Sequence, residues 1–236
     1  MISYNLAPEI KAFTTTVEEG RDPALLCPKL GVSVSRFARP HQIHDIVVRR
    51  LTEAHLAMAP DKLKEYLEGV DAVVYDVRNA CIGISTADCI PVVAYDAEHH
   101  CAAAIHAGWK GTVRRIVEVA VNFMTETYGT RPSQLRCAIG PGISLESFEV
   151  GDEVYAAFGD AGFQMDAIAR RFPTKDLCSE KWHIDLKECN RMQLISMGVQ
   201  PENIFVSPLD TMTDPRFFSA RRDGAKTGRM LSGIVL

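Results

Sequence analysis

The sequence predicts one mixed α/β domain over residues 1–236, with helices flanking β-sheets. Three observations support this prediction. Short apolar runs separated by turn residues occupy the centre of the chain, apolar residues recur at helical spacing after them, and no repeat, low-complexity segment or flexible linker divides the sequence. With 47% hydrophobic and 24% charged residues, the composition is that of an ordinary globular protein.

The strand predictions rest on short runs rich in β-branched or small apolar residues. Four such runs follow one another closely and predict a meander of hairpins at residues 71–76, 81–86, 90–95 and 101–106. Further strands are predicted at residues 43–48, 135–139 and 204–207.

Helices are predicted from apolar periodicity and from residues that begin or end helices. The strongest pattern is an amphipathic helix with Thr112 as its N-cap and Gly129 at its end. A second amphipathic helix is opened by Asp185 and closed by Gly198. The remaining helical predictions are residues 60–67, with proline in the first turn, and residues 150–158.

Charge and cysteine content exclude several classes of protein. A formal net charge of −4, without a run of lysine or arginine, argues against nucleic-acid or membrane partners. The first residues do not resemble a signal peptide and no apolar run is long enough to span a membrane, so we expect a cytoplasmic protein. An odd, scattered set of cysteines is typical of reduced thiols, and Cys81, Cys101 and Cys137 are predicted core residues because they lie inside apolar strand runs. The set is Cys27, Cys81, Cys89, Cys101, Cys137, Cys178 and Cys189.

A cysteine and a histidine lie at the ends of two adjacent predicted strands. They occur in the strings Thr86-Ala87-Asp88-Cys89-Ile90-Pro91 and His106-Ala107-Gly108-Trp109-Lys110-Gly111. A thiolate and an imidazole together suit a borderline-soft cation such as zinc, and a third protein ligand would leave one position open for chemistry. His44 is the third candidate, because strand periodicity puts it on the face of Gln42 and opposite His41. The alternative is that all three are ordinary core or surface residues.

The segment after His106 has features of a ligand-binding turn. Gly108 and Gly111 allow close backbone approach, and the helix N-terminus that follows suits an anionic or polar group. Trp109 is either a flat wall for a ring or a packed core residue. Asp88 is adjacent to a candidate ligand, but along a strand its side chain would point away from that ligand.

Arginines cluster near the C-terminus. Arg221, Arg222 and Arg229 could bind phosphate or carboxylate bidentately. The alternative is a solvated basic tail in which Asp223 pairs with its neighbours.

Taken together, these motifs resemble the laccase-domain family, long labelled multicopper polyphenol oxidoreductases and now mostly described as purine nucleoside phosphorylases. The resemblance runs from about Arg39 to the C-terminus. It rests on Gln42-Ile43-His44, the two strings above, Ile139-Gly140-Pro141-Gly142-Ile143, Phe148-Glu149-Val150-Gly151, Asp185-Leu186 with Asn190 and Gln193-Leu194, and Phe218-Ser219 through Arg229. It implies a four-layer α/β/β/α sandwich with two central sheets and outer helices. Two positions depart from the family pattern, because Ser147 and Asp210 stand where relatives commonly carry cysteine.

The same resemblance implies a zinc-dependent purine nucleoside phosphorylase acting on adenosine, inosine and methylthioadenosine, with adenosine deaminase activity. Its catalytic metal ligands would be His44, Cys89 and His106. The residues assigned to substrate and phosphate are Gln42, Trp109, Lys110, Arg221, Arg222 and Arg229. Copper is a second candidate metal because it binds nitrogen and sulfur ligands more tightly than zinc. However, seven histidines without a His-x-His motif do not suit a multicopper laccase centre.

Two other functions stay open from the sequence. One, which resembles a role proposed in the same family, is hydrolytic editing of peptidoglycan precursors, with a UDP-linked muramyl amino acid as the expected substrate. The other is a non-catalytic metal-binding or redox-partner protein, which predicts a closed four-ligand site although the sequence offers no convincing fourth ligand. A homodimer is one assembly compatible with the sequence, which does not fix the oligomeric state.

Overall fold

The computed structural model describes residues 1–174 and 179–236. Its strands are β1 Ile2–Tyr4, β2 Lys11–Thr14, β3 Phe37–Ala38, β4 Val48–Leu51, β5 Ala72–Tyr75, β6 Cys81–Thr86, β7 Ile90–Asp96, β8 Cys101–Ala107, β9 Arg136–Ile139, β10 Glu149–Val150, β11 Ala169–Pro173, β12 Glu180–Ile184, β13 Ile204–Val206 and β14 Met230–Val235. Its α-helices are α1 Pro23–Leu30, α2 Glu53–Leu56, α3 Pro60–Tyr66, α4 Trp109–Val113, α5 Ile116–Tyr128, α6 Asp152–Asp160, α7 Met165–Ile168, α8 Leu186–Ser196 and α9 Ala220–Asp223. Short 3-10 helices lie at Val34–Arg36, Pro132–Gln134 and Pro201–Asn203.

Across both described ranges the strands form three sheets. The five-stranded sheet has the order β1-β2-β14-β6-β3 and is antiparallel except for the pair β3 and β6. The six-stranded sheet has the order β13-β9-β7-β8-β5-β4, with parallel pairs only at its two edges. A small antiparallel sheet has the order β10-β12-β11.

The two large sheets pack face to face between outer helices. Alternation along β8 divides its side chains, so that Ala102 and Ala104 join the core shared with Ile82 of the opposite sheet. Ala103 and Ile105 point the other way into the core on the side of α5, to which α8 also contributes. On the outer side of the five-stranded sheet, α1 covers a third apolar cluster. The predicted α/β fold with four layers is therefore confirmed.

The predicted meander of hairpins is wrong in its pairing. β7 and β8 form a hairpin, but β6 pairs with β14 and β3 in the other large sheet, and β5 pairs with β8. Local composition identifies each strand, whereas the main partner of β6 lies at the far end of the chain. The chain therefore crosses between the two sheets before β6 and again after it.

The helix predicted between Thr112 and Gly129 is two helices. Arg115 separates α4 from α5 with a φ of 66°, a left-handed conformation that an α-helix does not contain. Its guanidinium lies 3.8 Å from the centre of the Phe163 ring and donates to the Ala161 carbonyl at 2.8 Å, so its side chain is held at the break by a distant part of the chain. Thr112 consequently lies inside α4 and does not cap α5, while Gly129 ends α5 as predicted.

The strand predicted at residues 43–48 is wrong for all but its last residue. The backbone N–H groups of Ile43, His44 and Asp45 donate to the carboxylate of Asp71 instead of to a neighbouring strand. His44 also has a φ of 65°, which is incompatible with a strand. The basis on which the sequence placed His44 and Gln42 on one face is therefore wrong.

The other predicted elements lie within a few residues of their observed positions. α3, α8, β9 and β13 are present, and Asp185 caps α8 by accepting the Glu188 N–H at 3.0 Å. The helix predicted at residues 150–158 begins at Asp152 because Val150 pairs in β10. Every cysteine predicted as a core residue is buried, whereas Cys178 lies outside the described residues. Within the described ranges no helix is long and apolar enough to cross a membrane.

Candidate metal centre

Three predicted ligands meet at one end of the six-stranded sheet. The ligand atoms of His44, Cys89 and His106 all lie within 4.8 Å of one another. The Cys89 Sγ is 3.8 Å from the His44 Nε2, and the two imidazole rings meet edge to face. Among the described residues no fourth His, Cys, Asp or Glu joins this group. His106 is buried, Cys89 half-buried and His44 exposed, so the group opens toward solvent.

Strand register explains how residues distant in sequence meet here. His106 lies on the face of β8 that Ala102 and Ala104 share, at the strand's end, and it pairs with Pro91 of β7. Cys89 lies two residues before Pro91, in the turn that leads into β7. The third ligand, His44, comes from the loop before β4, on the other side of β8 across β5.

The residue that organises the centre is Asp71, which the sequence analysis did not identify. Its side chain is fully buried, and its Oδ1 lies 2.7 Å from the Nδ1 of His106. It also accepts the backbone N–H groups of Ile43, His44 and Asp45 at 3.2, 3.0 and 2.9 Å. Because His106 donates its Nδ1–H to this carboxylate, its Nε2 is left free to bind a metal. One carboxylate thus orients two of the three ligands.

A signal for Asp71 does exist in the sequence, but it needs the correct strand pairing. Asp71 directly precedes β5, and Ala72 pairs with Ile105, which places Asp71 beside His106. The His106 N–H donates to the Asp71 carbonyl at 2.8 Å. A meander that pairs β5 with β6 does not bring these two residues together.

Electrostatics favours a thiolate at this site. Burial raises the pKa of the Cys89 thiol, but the charge of His106 and hydrogen bonds from both imidazoles outweigh it, so the pKa falls. Burial lowers the pKa of His106, but the Cys89 thiolate and Asp71 outweigh it, so the pKa rises. The pKa of the buried Asp71 carboxyl is lowered because hydrogen bonds from His106 and the backbone outweigh its desolvation. These interactions therefore favour the thiolate of Cys89 and the carboxylate of Asp71 on either side of His106.

The donor set fits a metal ion. A His₂Cys set with one open position is the pattern of catalytic zinc, and its nitrogen and sulfur atoms also accommodate copper. Gly108 leaves the space that this arrangement needs. A Cβ at position 108 would lie 2.8 Å from the His44 Cδ2 and 3.2 Å from the Cys89 Sγ.

A cavity of about 560 Å³ adjoins the three ligands. This volume lies in the range of small-molecule binding sites. Of the residues that the sequence assigned to substrate, Gln42 and Arg229 line it. The other lining residues are Arg21, Pro40, His41, Ser85, Thr86, Ala87, Ala220, Ala225 and Thr227. Arg21, Ser85 and Thr86 were not identified from the sequence, because the chain brings them here through β6 and the N-terminal segment.

Gln42 connects the His44 loop to the five-stranded sheet. Its Oε1 accepts the Ser85 N–H at 2.7 Å, and its Nε2 donates to the Ser85 carbonyl at 2.9 Å. The amide therefore mimics a neighbouring strand at the end of β6 and fixes the loop that carries His44.

The remaining predicted substrate residues do not line this cavity in the described structure. Lys110 is exposed, with its Nζ 5.8 Å from the centre of the Trp109 ring, and Trp109 packs against the outer core. Arg221 lies over Phe148 and donates to a backbone carbonyl. Arg222 donates to several carbonyls and pairs with Asp223. Their assignment to substrate stays a prediction.

Asp88 joins the C-terminal segment to the turn that carries Cys89. Its buried carboxylate accepts the Thr211 hydroxyl at 2.7 Å, the Ser219 hydroxyl at 3.0 Å and the Arg221 N–H at 2.7 Å. These bonds hold the side chain away from the three predicted ligands, although Asp88 has a φ of 81° and lies in a turn, not on the strand from which its direction was predicted. Asp88 is thus a structural support for the cavity wall.

The two positions that depart from the family pattern touch each other. The Ser147 hydroxyl donates to the Asp210 carboxylate at 2.5 Å, and the Ser144 hydroxyl donates to the same oxygen at 3.1 Å. They are not part of the three-ligand group, so the departure leaves the candidate metal centre intact.

Known proteins resemble this chain over nearly its whole length. A purine nucleoside phosphorylase of Bacteroides thetaiotaomicron is 41% identical over 217 residues, which are 92% of this chain and 79% of that protein. Adenosine deaminase RL5, from an unknown prokaryotic organism, is 39% identical over 89% of this chain and 78% of its own length. The crystal structure of the hypothetical protein YfiH of Bacillus licheniformis superposes with a TM-score of 0.84 at 26% identity, covering 97% of this chain and 93% of that one. The sequence profile described as "Multi-copper polyphenol oxidoreductase laccase" matches residues 2–236. The chain therefore belongs to the multi-copper polyphenol oxidoreductase laccase family.

Proposed function

We propose that this protein is a zinc-dependent purine nucleoside phosphorylase that also deaminates adenosine. The observation that carries the proposal is an open His₂Cys group at the mouth of a cavity of about 560 Å³. Relatives named purine nucleoside phosphorylase and adenosine deaminase supply the substrate class. A non-catalytic metal protein would instead need a closed four-ligand site, and the described residues provide three ligands.

In this proposal His44, Cys89 and His106 hold the zinc ion and are the catalytic centre. A bound zinc ion supplies Lewis acidity, which polarises a substrate atom or acidifies a water ligand. Asp71 keeps the proton on the His106 Nδ1 and so holds the Nε2 ready as a ligand. Copper would bind the same donors more tightly, so the metal available to the cell decides which ion is loaded.

Phosphorolysis needs a nucleoside and a phosphate held side by side. A phosphate oxygen forms a bond to the ribose C1′ while the glycosidic bond breaks and its electron pair leaves with the purine. The cavity residues Gln42 and Arg229 are the proposed contacts beside the centre. Holding the two reactants in line supplies much of the rate enhancement in such a transfer.

Deamination is the second candidate activity, and the 39% identity to a protein named adenosine deaminase favours it. Water forms a bond to the purine C6 while the bond from C6 to its amino group breaks, so that inosine and ammonia are released. Because the two reactions attack different atoms, the ribose C1′ and the purine C6, one cavity carries both only if it accepts the nucleoside in two orientations.

The test compares the wild type with Cys89→Ala on adenosine and inosine, with and without phosphate. We expect phosphate-dependent release of the free base, phosphate-independent release of ammonia from adenosine, and loss of both in the variant. Cys101→Ala is the matched control, because this buried cysteine lies at the opposite end of β8 from the ligands. Full activity of Cys89→Ala, or no turnover of any nucleoside by the zinc-loaded wild type, would contradict the proposal.

A further inference from the structure

The cavity beside the metal centre has a positively charged wall. Arg21, between β2 and α1, and Arg229, just before β14, line the same cavity as the three ligands. Arg39 adjoins them, because its guanidinium donates to the Arg21 carbonyl at 3.1 Å. The three arginines come from both ends of the sequence, so their meeting is a product of the fold.

The hydrogen-bond acceptors around these arginines are uncharged groups. In the described part of the chain none of the three forms a salt bridge, whereas Arg222 and Arg216 each pair with an aspartate. Arg21 donates to the Ser85 hydroxyl at 3.2 Å, and Arg229 donates to the carbonyls of nearby residues. All of these acceptors are uncharged.

The positive charges also repel one another. Partial desolvation lowers the pKa of the exposed Arg21, and the nearby charge of Arg229 lowers it further. Burial and the charge of Arg21 act in the same way on the pKa of Arg39, and Asp22 offsets part of this effect. Repulsion among guanidinium groups around one cavity is relieved when an anion binds between them.

A buried hydroxyl adds an independent observation. Thr86 lines the cavity with only 1% of its surface exposed, and its Oγ1 has no hydrogen-bond partner among the described residues. A hydroxyl in such a position is rarely left unpaired, because an unsatisfied buried donor is costly. It ends β6 directly after Ser85, the residue that Arg21 contacts.

We propose that Arg21, Arg229 and Thr86 form a subsite for a phosphate group. Arg39 positions the Arg21 backbone by donating a hydrogen bond to its carbonyl. The subsite rests on the proposed function, because phosphate is the second reactant of phosphorolysis. Guanidinium groups bind phosphate oxygens in bidentate pairs, and a threonine hydroxyl can donate to a third oxygen. The subsite lies on the cavity wall that β6 and the N-terminal segment form. In this proposal it is the main site of anion binding, in place of the predicted cluster of Lys110, Arg221 and Arg222.

Two sources could supply the phosphate group. One is inorganic phosphate, and the other is the phosphate ester of a purine nucleoside 5′-monophosphate. Direct binding distinguishes them if the zinc-loaded protein is titrated with inorganic phosphate, with the monophosphate and with the unphosphorylated nucleoside. Inorganic phosphate that binds without nucleoside identifies a co-reactant site, and monophosphate that binds more tightly than the nucleoside identifies an ester site. If neither form of phosphate binds to the wild type, the subsite is refuted.

The test uses Arg21→Gln, which removes an exposed charge without opening a core, and Thr86→Val, which removes only the hydroxyl. We expect Arg21→Gln to weaken binding of the phosphate group at least tenfold and Thr86→Val several-fold. The KM for the nucleoside should stay unchanged in both, and Arg21→Lys should restore part of the loss. Arg49→Gln is the control, because Arg49 is an exposed arginine outside the cavity whose guanidinium lies over Tyr66.

The outcomes separate this inference from the proposed function. Phosphate binding that depends on Arg21, in a protein that does not turn over nucleosides, keeps the subsite and refutes the enzyme. Phosphorolysis with an unchanged KM for phosphate in Arg21→Gln keeps the enzyme and refutes the subsite. Equal weakening by Arg21→Gln and Arg49→Gln also refutes it, because the effect would then be one of overall charge.

Discussion

Replacing Asp71 with asparagine should weaken zinc binding although Asp71 does not touch the metal. The carboxylate accepts four hydrogen bonds, from the His106 Nδ1–H and from the backbone of Ile43, His44 and Asp45. An amide has one acceptor oxygen in place of two, so its NH₂ group must face donors on one side. With the NH₂ group in place of Oδ1, His106 and His44 lose their acceptor, and with it in place of Oδ2, Ile43 and Asp45 lose theirs.

The expected size of the effect follows from these contacts. Loss of a carboxylate that orients a ligand histidine costs about 10- to 100-fold in metal affinity, which corresponds to about 1.4–2.7 kcal/mol. The metal-free protein is destabilised as well. Two hydrogen bonds to a charged acceptor are lost, at roughly 1.5–3 kcal/mol each, and a typical domain has only about 5–15 kcal/mol of stability.

The assay is a zinc titration against a competing chelator, with thermal unfolding of the metal-free proteins measured in parallel. Asp96→Asn is a close control, because Asp96 is also fully buried and accepts the His99 Nδ1 and the N–H groups of Glu98 and His99. It lies at the opposite end of β7 from the metal centre, so it should lower stability and leave zinc affinity unchanged. Wild-type zinc affinity in Asp71→Asn, or equal losses of affinity in both variants, would refute the role given to Asp71.

Two further predictions concern the space that Gly108 leaves at the metal centre and the charge of the Cys89 thiol. Gly108→Ala should abolish zinc binding, because the new methyl group would lie 2.8 Å from the His44 ring. Gly159→Ala is the control and should bind zinc normally, because its new methyl group would meet nothing closer than 3.9 Å. A competitive zinc titration of both variants checks this. In the metal-free protein, iodoacetamide should alkylate Cys89 rapidly at neutral pH, because the neighbouring imidazoles outweigh burial and hold the pKa of this thiol below its usual range. The rate should fall as pH decreases through that lowered pKa, since protonation removes the thiolate, and bound zinc should block the reaction. A rate that rises only above pH 8 would contradict the electrostatic account.

The sequence predicts the layers of this fold better than its connections. Apolar runs locate β6, β7 and β8 because burial on both faces leaves a local pattern. Pairing of β6 with β14 leaves no such pattern, because it joins residues about 150 positions apart in the sequence. The left-handed residue Arg115, which breaks the predicted helix, contacts Phe163, which is likewise distant in the chain.

The site shows the same division. Cys89 and His106 can be predicted because strand ends and a glycine turn mark them locally, but His44 was chosen on a strand that does not exist. Asp71 can be recognised as the partner of His106 only when β5 is paired with β8. Arg21 and Thr86 reach the cavity only when both large sheets are in place, whereas the more visible arginine pair at 221 and 222 is occupied by backbone and aspartate partners.

A catalytic metal centre is tested most directly by zinc titration of the chelator-stripped protein, with phosphorolysis of inosine as the readout. We expect no activity without metal and a rise that ends when one zinc ion is bound per chain. Cys89→Ala should gain nothing over the same range. Full turnover by the stripped protein, or stoichiometric zinc binding that restores no activity, would contradict a catalytic metal centre at His44, Cys89 and His106.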